Sequence, residues 1–195
     1  MIDFDSALKF VLENSGRTKA CSVAVKDCAG HFLAEGVKAR CDLPRFSSSA
    51  MDGYCVKICD TQNASAEKPV RLKIQSKVNA GFKADIALKK GGAFYISTGA
   101  KMPDGVDAVV RKEDVETDGD FIAVKKQASK ADNIRFKGEE YKKGDIVAEK
   151  GSLITPALAG LFVSFGLKRV RVYKKPVVSL IATGSELVPS GKKLM

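Results

Sequence analysis

Between Tyr54 and Asn133 the apolar residues come in short runs, each cut off by a polar segment rich in turn formers, and this punctuation constrains the fold more than any other feature of the chain. Cys55 to Ile58, Val70 to Ile74, Phe94 to Ser97 and Ala108 to Arg111 have the length and make-up of strands. Glu113–Glu116 and Phe121–Val124 flank Thr117-Asp118-Gly119-Asp120, where Asp-Gly signals a tight hairpin. Asp60 to Pro69 reads as a polar loop. Strands this short at this spacing predict a compact, barrel-like β domain.

The flanks follow other rules. Phe4, Ala7, Leu8, Val11 and Leu12 recur at helical spacing, with Asp3 or Asp5 to cap the start and Asn14-Ser15-Gly16 to stop it. Cys21 to Ala39 alternates as short strands broken at Asp27-Cys28-Ala29-Gly30; His31, beside that turn, is given no catalytic role. A new organisation begins near Gly138. Asp145–Ala148 is a short strand, Thr155 and Pro156 open a helix that Gly166 ends, and Arg169–Tyr173 alternates as a strand. Val177–Ala182 is nearly continuous apolar sequence, the pattern of a parallel strand buried on both faces, and it runs into Thr183-Gly184-Ser185-Glu186. Such a strand needs sister strands and helices, so the expectation is that the chain stops just inside an α/β domain.

Charge and cysteine content exclude several classes. The net charge of +10 suits an anionic partner, but the basic clusters lack the aromatic platform of a single-strand binder and the chain has no Trp. Five cysteines, at 21, 28, 41, 55 and 59, form no Cys-x-x-Cys pair, and with one histidine a zinc site is not expected. Reduced thiols, an acidic N-terminus without a signal-type apolar core, and a longest apolar run (157 to 167) too short to span a bilayer point to a cytoplasmic protein with neither nucleic acid nor membrane as partner.

Four polar stretches could carry chemistry. Leu43 to Val56 contains Ser47-Ser48-Ser49-Ala50-Met51-Asp52-Gly53, where hydroxyls and backbone N–H groups crowd together and Gly53 permits a tight turn that presents Asp52. Ser97-Thr98-Gly99-Ala100 ends a strand with a hydroxyl and free N–H groups suited to an anionic oxygen. Asn133 to Glu140 combines the Arg135 fork with Glu139 and Glu140, and Thr183 to Glu186 lies at the carboxyl end of the presumed parallel strand, where open α/β sheets place ligands.

Taken singly, each stretch has a structural explanation; taken in order, they resemble the signatures of the molybdopterin molybdenumtransferases, the MoeA-type proteins and the related domain of gephyrin. The matching strings are Leu-Pro-x-Phe-x-x-Ser-Ala-Met-Asp52-Gly-Tyr, Thr98-Gly99-Ala-x-Met-Pro-x-Gly-x-Asp107-Ala-Val-Val followed by Glu113, Asn133-Ile-Arg135-x-x-Gly138-Glu139-Glu140, and Ala182-Thr183-Gly184-Ser-Glu186-Leu187. The chain has Glu140 where the family commonly has Asp, and Ser185 in place of an Asp. A water-mediated role tolerates both changes better than direct ligation.

The resemblance implies an enzyme of molybdenum cofactor biosynthesis that takes molybdate and adenylylated molybdopterin as substrates, releases AMP and inserts molybdenum with the help of Mg²⁺. It implies Asp52, Glu140 and Glu186 as catalytic carboxylates, with Asp52 and Glu186 toward the metal, and Ser49, Thr98, Gly99, Arg135, Thr183 and Gly184 as cofactor contacts. It further implies a homodimer, a molybdopterin adenylyltransferase as substrate donor, and an active site completed by a molybdopterin-binding domain, so that this fragment alone would be inactive. The fold expectation is α+β and mostly β: an N-terminal helix (1–19) packing on the absent domain, a discontinuous linker domain (20–38 and 141–173), an inserted β-barrel-like domain (39–140), and the first strand of a truncated α/β domain (174–195). The alternative is a non-catalytic dimerisation or scaffold module; a basic nucleic-acid-binding module ranks below it.

Overall fold

The computed structural model describes residues 2–81, 87–179, 181–184 and 186–192. In chain order the elements are α1 (Phe4–Asn14), β1 (Ala20–Ala24), β2 (Val37–Lys38), β3 (Ser48–Ser49), β4 (Gly53–Val56), β5 (Val70–Val78), β6 (Gly92–Ile96), β7 (Ala108–Arg111), β8 (Val115–Asp118), β9 (Phe121–Val124), β10 (Ile134–Arg135), β11 (Ile146–Ala148), α2 (Pro156–Ser164) and β12 (Arg169–Tyr173). They fall into two compact units, Met1–Val37 with Ala148–Met195, and Lys38–Val147.

The second unit is built on a six-stranded sheet of order β7-β4-β6-β5-β9-β8. All neighbours are antiparallel except β5 and β6, which run parallel with a register shift between Ile74 and Ser76. Side chains alternate across a strand, so each strand feeds two cores. Tyr54, Val56, Leu72, Ala93, Ala108, Ile122 and Val124 pack on one face, and Cys55, Val78, Phe94, Ile96 and Val109 on the other. This is why every residue of β4 is buried. The expected Asp-Gly hairpin is present: Asp118 pairs with Phe121, and Gly119 takes φ 55°.

The sheet is a curled half-barrel rather than a closed barrel. Its edge strands β7 and β8 are joined by a single 3₁₀ turn, Lys112–Asp114, so the sheet curls to bring its edges near, and Val110 and Val115 pack on the same cluster. No hydrogen-bonded ladder joins the two edges among the described residues. That turn also replaces the first two residues expected in the hairpin's leading strand.

In the first unit β1 and β12 pair antiparallel, Ala20 opposite Tyr173 through Ala24 opposite Arg169. Thr155 Oγ1 accepts from the Leu158 N–H at 3.1 Å and Pro156 occupies the first turn, so α2 starts as its sequence dictates. Gly166, at φ 74°, ends it, with Leu167 N–H donating to Phe162 O. Phe162, Phe165, Leu33, Ile154 and Val172 form the buried set. Asp3 caps α1 through Ser6 N–H at 2.8 Å, but α1 buries no residue and its Phe4, Leu8, Val11 and Leu12 stripe is exposed.

The strand expected over Val177–Ala182 is not formed by its described residues. Val177 and Ile181 are 97% and 85% exposed. A strand meant for burial on both faces is held by its neighbours, and no strand pairs with this segment among the described residues. Among the described residues no helix is long and apolar enough to cross a membrane.

Candidate functional site

Three of the four polar stretches meet in the β unit. β3 pairs antiparallel with β10, Ser49 opposite Ile134 and Ser48 opposite Arg135. The Ala50 N–H donates to Asn133 O, the Ser49 N–H to Ala100 O, and the Gly99 N–H to Ser49 O at 2.8 Å. These main-chain bonds tie the serine turn, the Thr-Gly-Ala end of β6 and the Asn-Ile-Arg segment into one frame.

Asp52 is fixed at its centre. Its Oδ1 accepts both the Thr98 N–H at 2.7 Å and the Thr98 hydroxyl at 2.8 Å, and its Oδ2 lies 3.5 Å from Lys112 Nζ. Two donated hydrogen bonds from Thr98, helped by the Lys112 charge, hold the carboxyl below the usual carboxylate range. The turn that presents it is braced by Ser49, which is 1% exposed and whose hydroxyl donates to Met51 O at 2.6 Å. Gly53 is required because β4 runs so close to β7 that a Cβ there would strike the Val110 carbonyl.

Lys112 was not among the residues expected from sequence. Gly53 lies opposite Arg111, so the next pair outward is Asp52 with Lys112, whose N–H also donates to Asp52 O at 3.1 Å. The strand Ala108–Arg111 is legible in the sequence, but its partner is not. The pairing makes Lys112 part of the site.

Arg135 does not stand free for an anion. Its Nε donates to Glu139 at 2.9 Å and its Nη2 to Glu140 at 2.7 Å. The Glu139 hydrogen bond, with both carboxylate charges, raises the guanidinium's affinity for its proton, and the Phe136 N–H followed by Arg135 holds Glu139 below its ordinary range. Glu140 is thus placed as an oriented carboxylate on a positively charged holder.

Beside this frame lies a cleft of about 500 Å³, bordered by Arg45–Ser47, Lys101–Val106, Ile134, Phe136 and Lys137. Its walls come from the same three stretches. Phe46 and Phe136 expose their rings, a mixture of apolar faces and cations suited to an anionic ligand with a ring. Thr183, Gly184 and Glu186 belong to the other unit, where Glu186 is exposed; Ser185 lies outside the described residues. Among the described residues no group of three or more His, Cys, Asp or Glu is arranged to hold a metal ion.

Solved structures share this fold. A molybdopterin biosynthesis MoeA protein from Pyrococcus horikoshii OT3 superposes with a TM-score of 0.85 at 34% identity, over 96% of this chain and 50% of that one. Another crystal structure, of a molybdopterin biosynthesis MoeA protein from Pyrococcus horikoshii, gives a TM-score of 0.74 at 35% identity, over 100% of this chain and 50% of that one. The fold is therefore that of the molybdopterin biosynthesis proteins. The family model of the MoeA N-terminal region (domain I and II) matches residues 2–166, and the chain belongs to that family.

Among curated relatives, a molybdopterin molybdenumtransferase of Staphylococcus aureus (strain Mu50) is 36% identical over 187 residues, and one of Staphylococcus epidermidis (strain RP62A) is 35% identical over the same length. Each match takes in 96% of this chain and 45% of the relative. The chain spans just under half the length of the curated relatives it matches.

Proposed function

We propose that this chain supplies the N-terminal part of a molybdopterin molybdenumtransferase in molybdenum cofactor biosynthesis, acting on adenylylated molybdopterin and molybdate with release of AMP. The observation that carries this reading is Asp52, an ionised carboxylate held by two Thr98 donors within a frame made from three of the resembled motifs.

In this reading Thr98 positions Asp52, since its N–H and hydroxyl hydrogen both point to that carboxylate. Lys112 balances the charge of Asp52 and offers a cation to a phosphate oxygen. Arg135 orients Glu140 to accept a hydrogen bond from water or substrate. The cationic cleft beside Ser47 and Lys101 takes the anionic substrate.

Mg²⁺ is commonly held by one or two carboxylates together with substrate phosphates and waters, and Asp52 Oδ2, met among the described residues by a lysine at 3.5 Å, fits as one such ligand. The ion would supply charge neutralisation at the phosphates and polarise the bond to be cleaved. Glu186 is the second carboxylate of this proposal, with Thr183 and Gly184 beside it. A homodimer, with a molybdopterin adenylyltransferase delivering the substrate, completes the picture.

The experiment is AMP release from adenylylated molybdopterin with molybdate and Mg²⁺, by this chain alone and by a chimera joining it to the remaining segment of the S. aureus relative. Release by the chimera that is lost in Asp52→Ala is the expected result. A folded chimera that releases no AMP, or an Asp52→Ala form that releases it at full rate, overturns the reading.

A further inference from the structure

The first unit carries a cleft of its own, built from residues that no motif includes. Its volume is about 740 Å³, within the roughly 300–1,000 Å³ usual for small-molecule sites. Its walls are the segment after α1 (Ser15–Thr18), the turn at Gly30–Phe32, and the segment after β12 (Tyr173–Pro176).

Three observations define what it suits. Arg17, Lys174 and Lys175 line it, no Asp or Glu does, and none of the three cations makes an ion pair among the described residues. Arg71, Arg111, Lys112 and Arg135, by contrast, are all paired. Like charges left together in a concavity repel one another and focus a positive field that an anion relieves.

Next, His31 Nδ1 is buried with no hydrogen-bond partner among the described residues. Buried polar atoms are normally satisfied, so this nitrogen, covered as the chain stands, is an unmet polar atom in a residue of the cleft wall, and a turn of the His31 ring would present it to a bound group or water. Finally, Phe32, half exposed, and Tyr173 give the cleft aromatic surface beside its charges. Gly30 takes φ 77°, which suits glycine at this turn, and the Lys175 Nζ lies beside it, 3.6 Å from where a Cβ would stand.

We propose that this cleft binds a small phosphorylated ring compound of nucleoside-monophosphate size, its phosphate on Arg17, Lys174 and Lys175 and its ring against Phe32 and His31. The arginine fork and the two ammonium groups match phosphate oxygens, and the aromatic wall matches a flat ring. Nothing in this site draws on Asp52 or its frame.

The chain has a single histidine, so its imidazole signals report on the cleft without ambiguity. The test is to titrate the chain with AMP, and separately with inorganic phosphate, and follow the His31 ring by ¹H–¹³C NMR. Saturable AMP binding with Kd below about 1 mM, phosphate weaker by about tenfold or more, and a loss of about tenfold or more in Arg17→Ser/Lys175→Ser are expected. Phe32→Ala, an independent check, should weaken AMP and leave phosphate unchanged. Asp52→Ala should bind AMP as the parent does, which separates this cleft from AMP held at the proposed reaction site.

No saturable shift with AMP overturns the proposal, as does equal affinity for AMP and phosphate. AMP binding that survives both the double substitution and Phe32→Ala does so too. Tighter binding of a polyglutamate peptide than of AMP would assign the cleft to an acidic protein partner and equally overturn it.

Discussion

Thr98 gives both its backbone N–H and its hydroxyl to a single oxygen of Asp52, at 2.7 and 2.8 Å. A strand end and a turn that lie far apart in the chain are thereby locked at one carboxylate. Thr98→Val removes the hydroxyl and keeps the N–H and the side chain's shape. The Asp52 carboxyl should then titrate closer to the ordinary value of ~3.9, read by side-chain ¹³C NMR. The sign follows from linkage: a carboxyl depressed in the folded state contributes stability above its unfolded pKa, and this is lost as pH falls through the folded pKa. The acid limb of the stability curve should therefore move to higher pH in Thr98→Val. An Asp52 titration identical to the parent's would refute this account of its environment.

Gly53 leaves no room for a side chain, because a Cβ there meets the Val110 carbonyl of the neighbouring strand. Backbone cannot swing aside as a lysine tip can. Gly53→Ala should cost at least the upper part of the roughly 1–3 kcal/mol typical of overpacking, measured by urea unfolding. Because Asp52 precedes Gly53 and pairs across to Lys112, the same change should also disturb the Asp52 titration. A variant as stable as the parent, with Asp52 unmoved, would mean the two strands are not so close.

How much of this was legible depended on how local the cause is. The caps Asp3 and Thr155, the stop at Gly166, the Asp-Gly hairpin and the strand Arg169–Tyr173 each follow from residues within a few positions, and the structure has them all. The parallel pairing of β5 with β6 and the Gly53–Arg111 register are set by packing between distant segments, so Lys112 stayed hidden. The Val177–Ala182 run carries a strand's composition, but composition does not supply a neighbour, and its described residues form no strand. For the site, motif order led to Ser49, Asp52, Thr98, Gly99 and Arg135, which the main-chain bonds of the β3–β10 frame and the two Thr98 bonds to the Asp52 carboxylate do bring together. It did not reveal that the Arg135 fork is taken up by Glu139 and Glu140.

The cysteines should separate by reactivity. Burial pushes the Cys55 thiol up to about 12 and raises that of Cys28 as well, so neither holds thiolate at neutral pH. Cys59 is exposed. Iodoacetamide at pH 7.5 should label Cys59 first and reach Cys28 and Cys55 only on unfolding, as peptide mapping by mass spectrometry would reveal. Labelling of Cys55 at the rate of Cys59 in the folded chain would contradict the two-faced sheet that encloses it.

Neighbouring positions on α2 offer a sharper measure of where the first unit gets its stability. Phe162 is fully buried, while Val163, next along the chain, is 62% exposed. Phe162→Ala should cost about 3–5 kcal/mol, the range for emptying an aromatic site in a core, and Val163→Ala should stay within about 0.5 kcal/mol of the parent. Thr155→Ala, which removes the acceptor for the Leu158 N–H, should fall between them at about 1 kcal/mol. Denaturant unfolding followed by far-UV circular dichroism gives all three values on one scale. The order matters more than the sizes: if Val163→Ala were as damaging as Phe162→Ala, α2 would present a different face to the core of its unit than the one its cap, its stop and its single buried ring define.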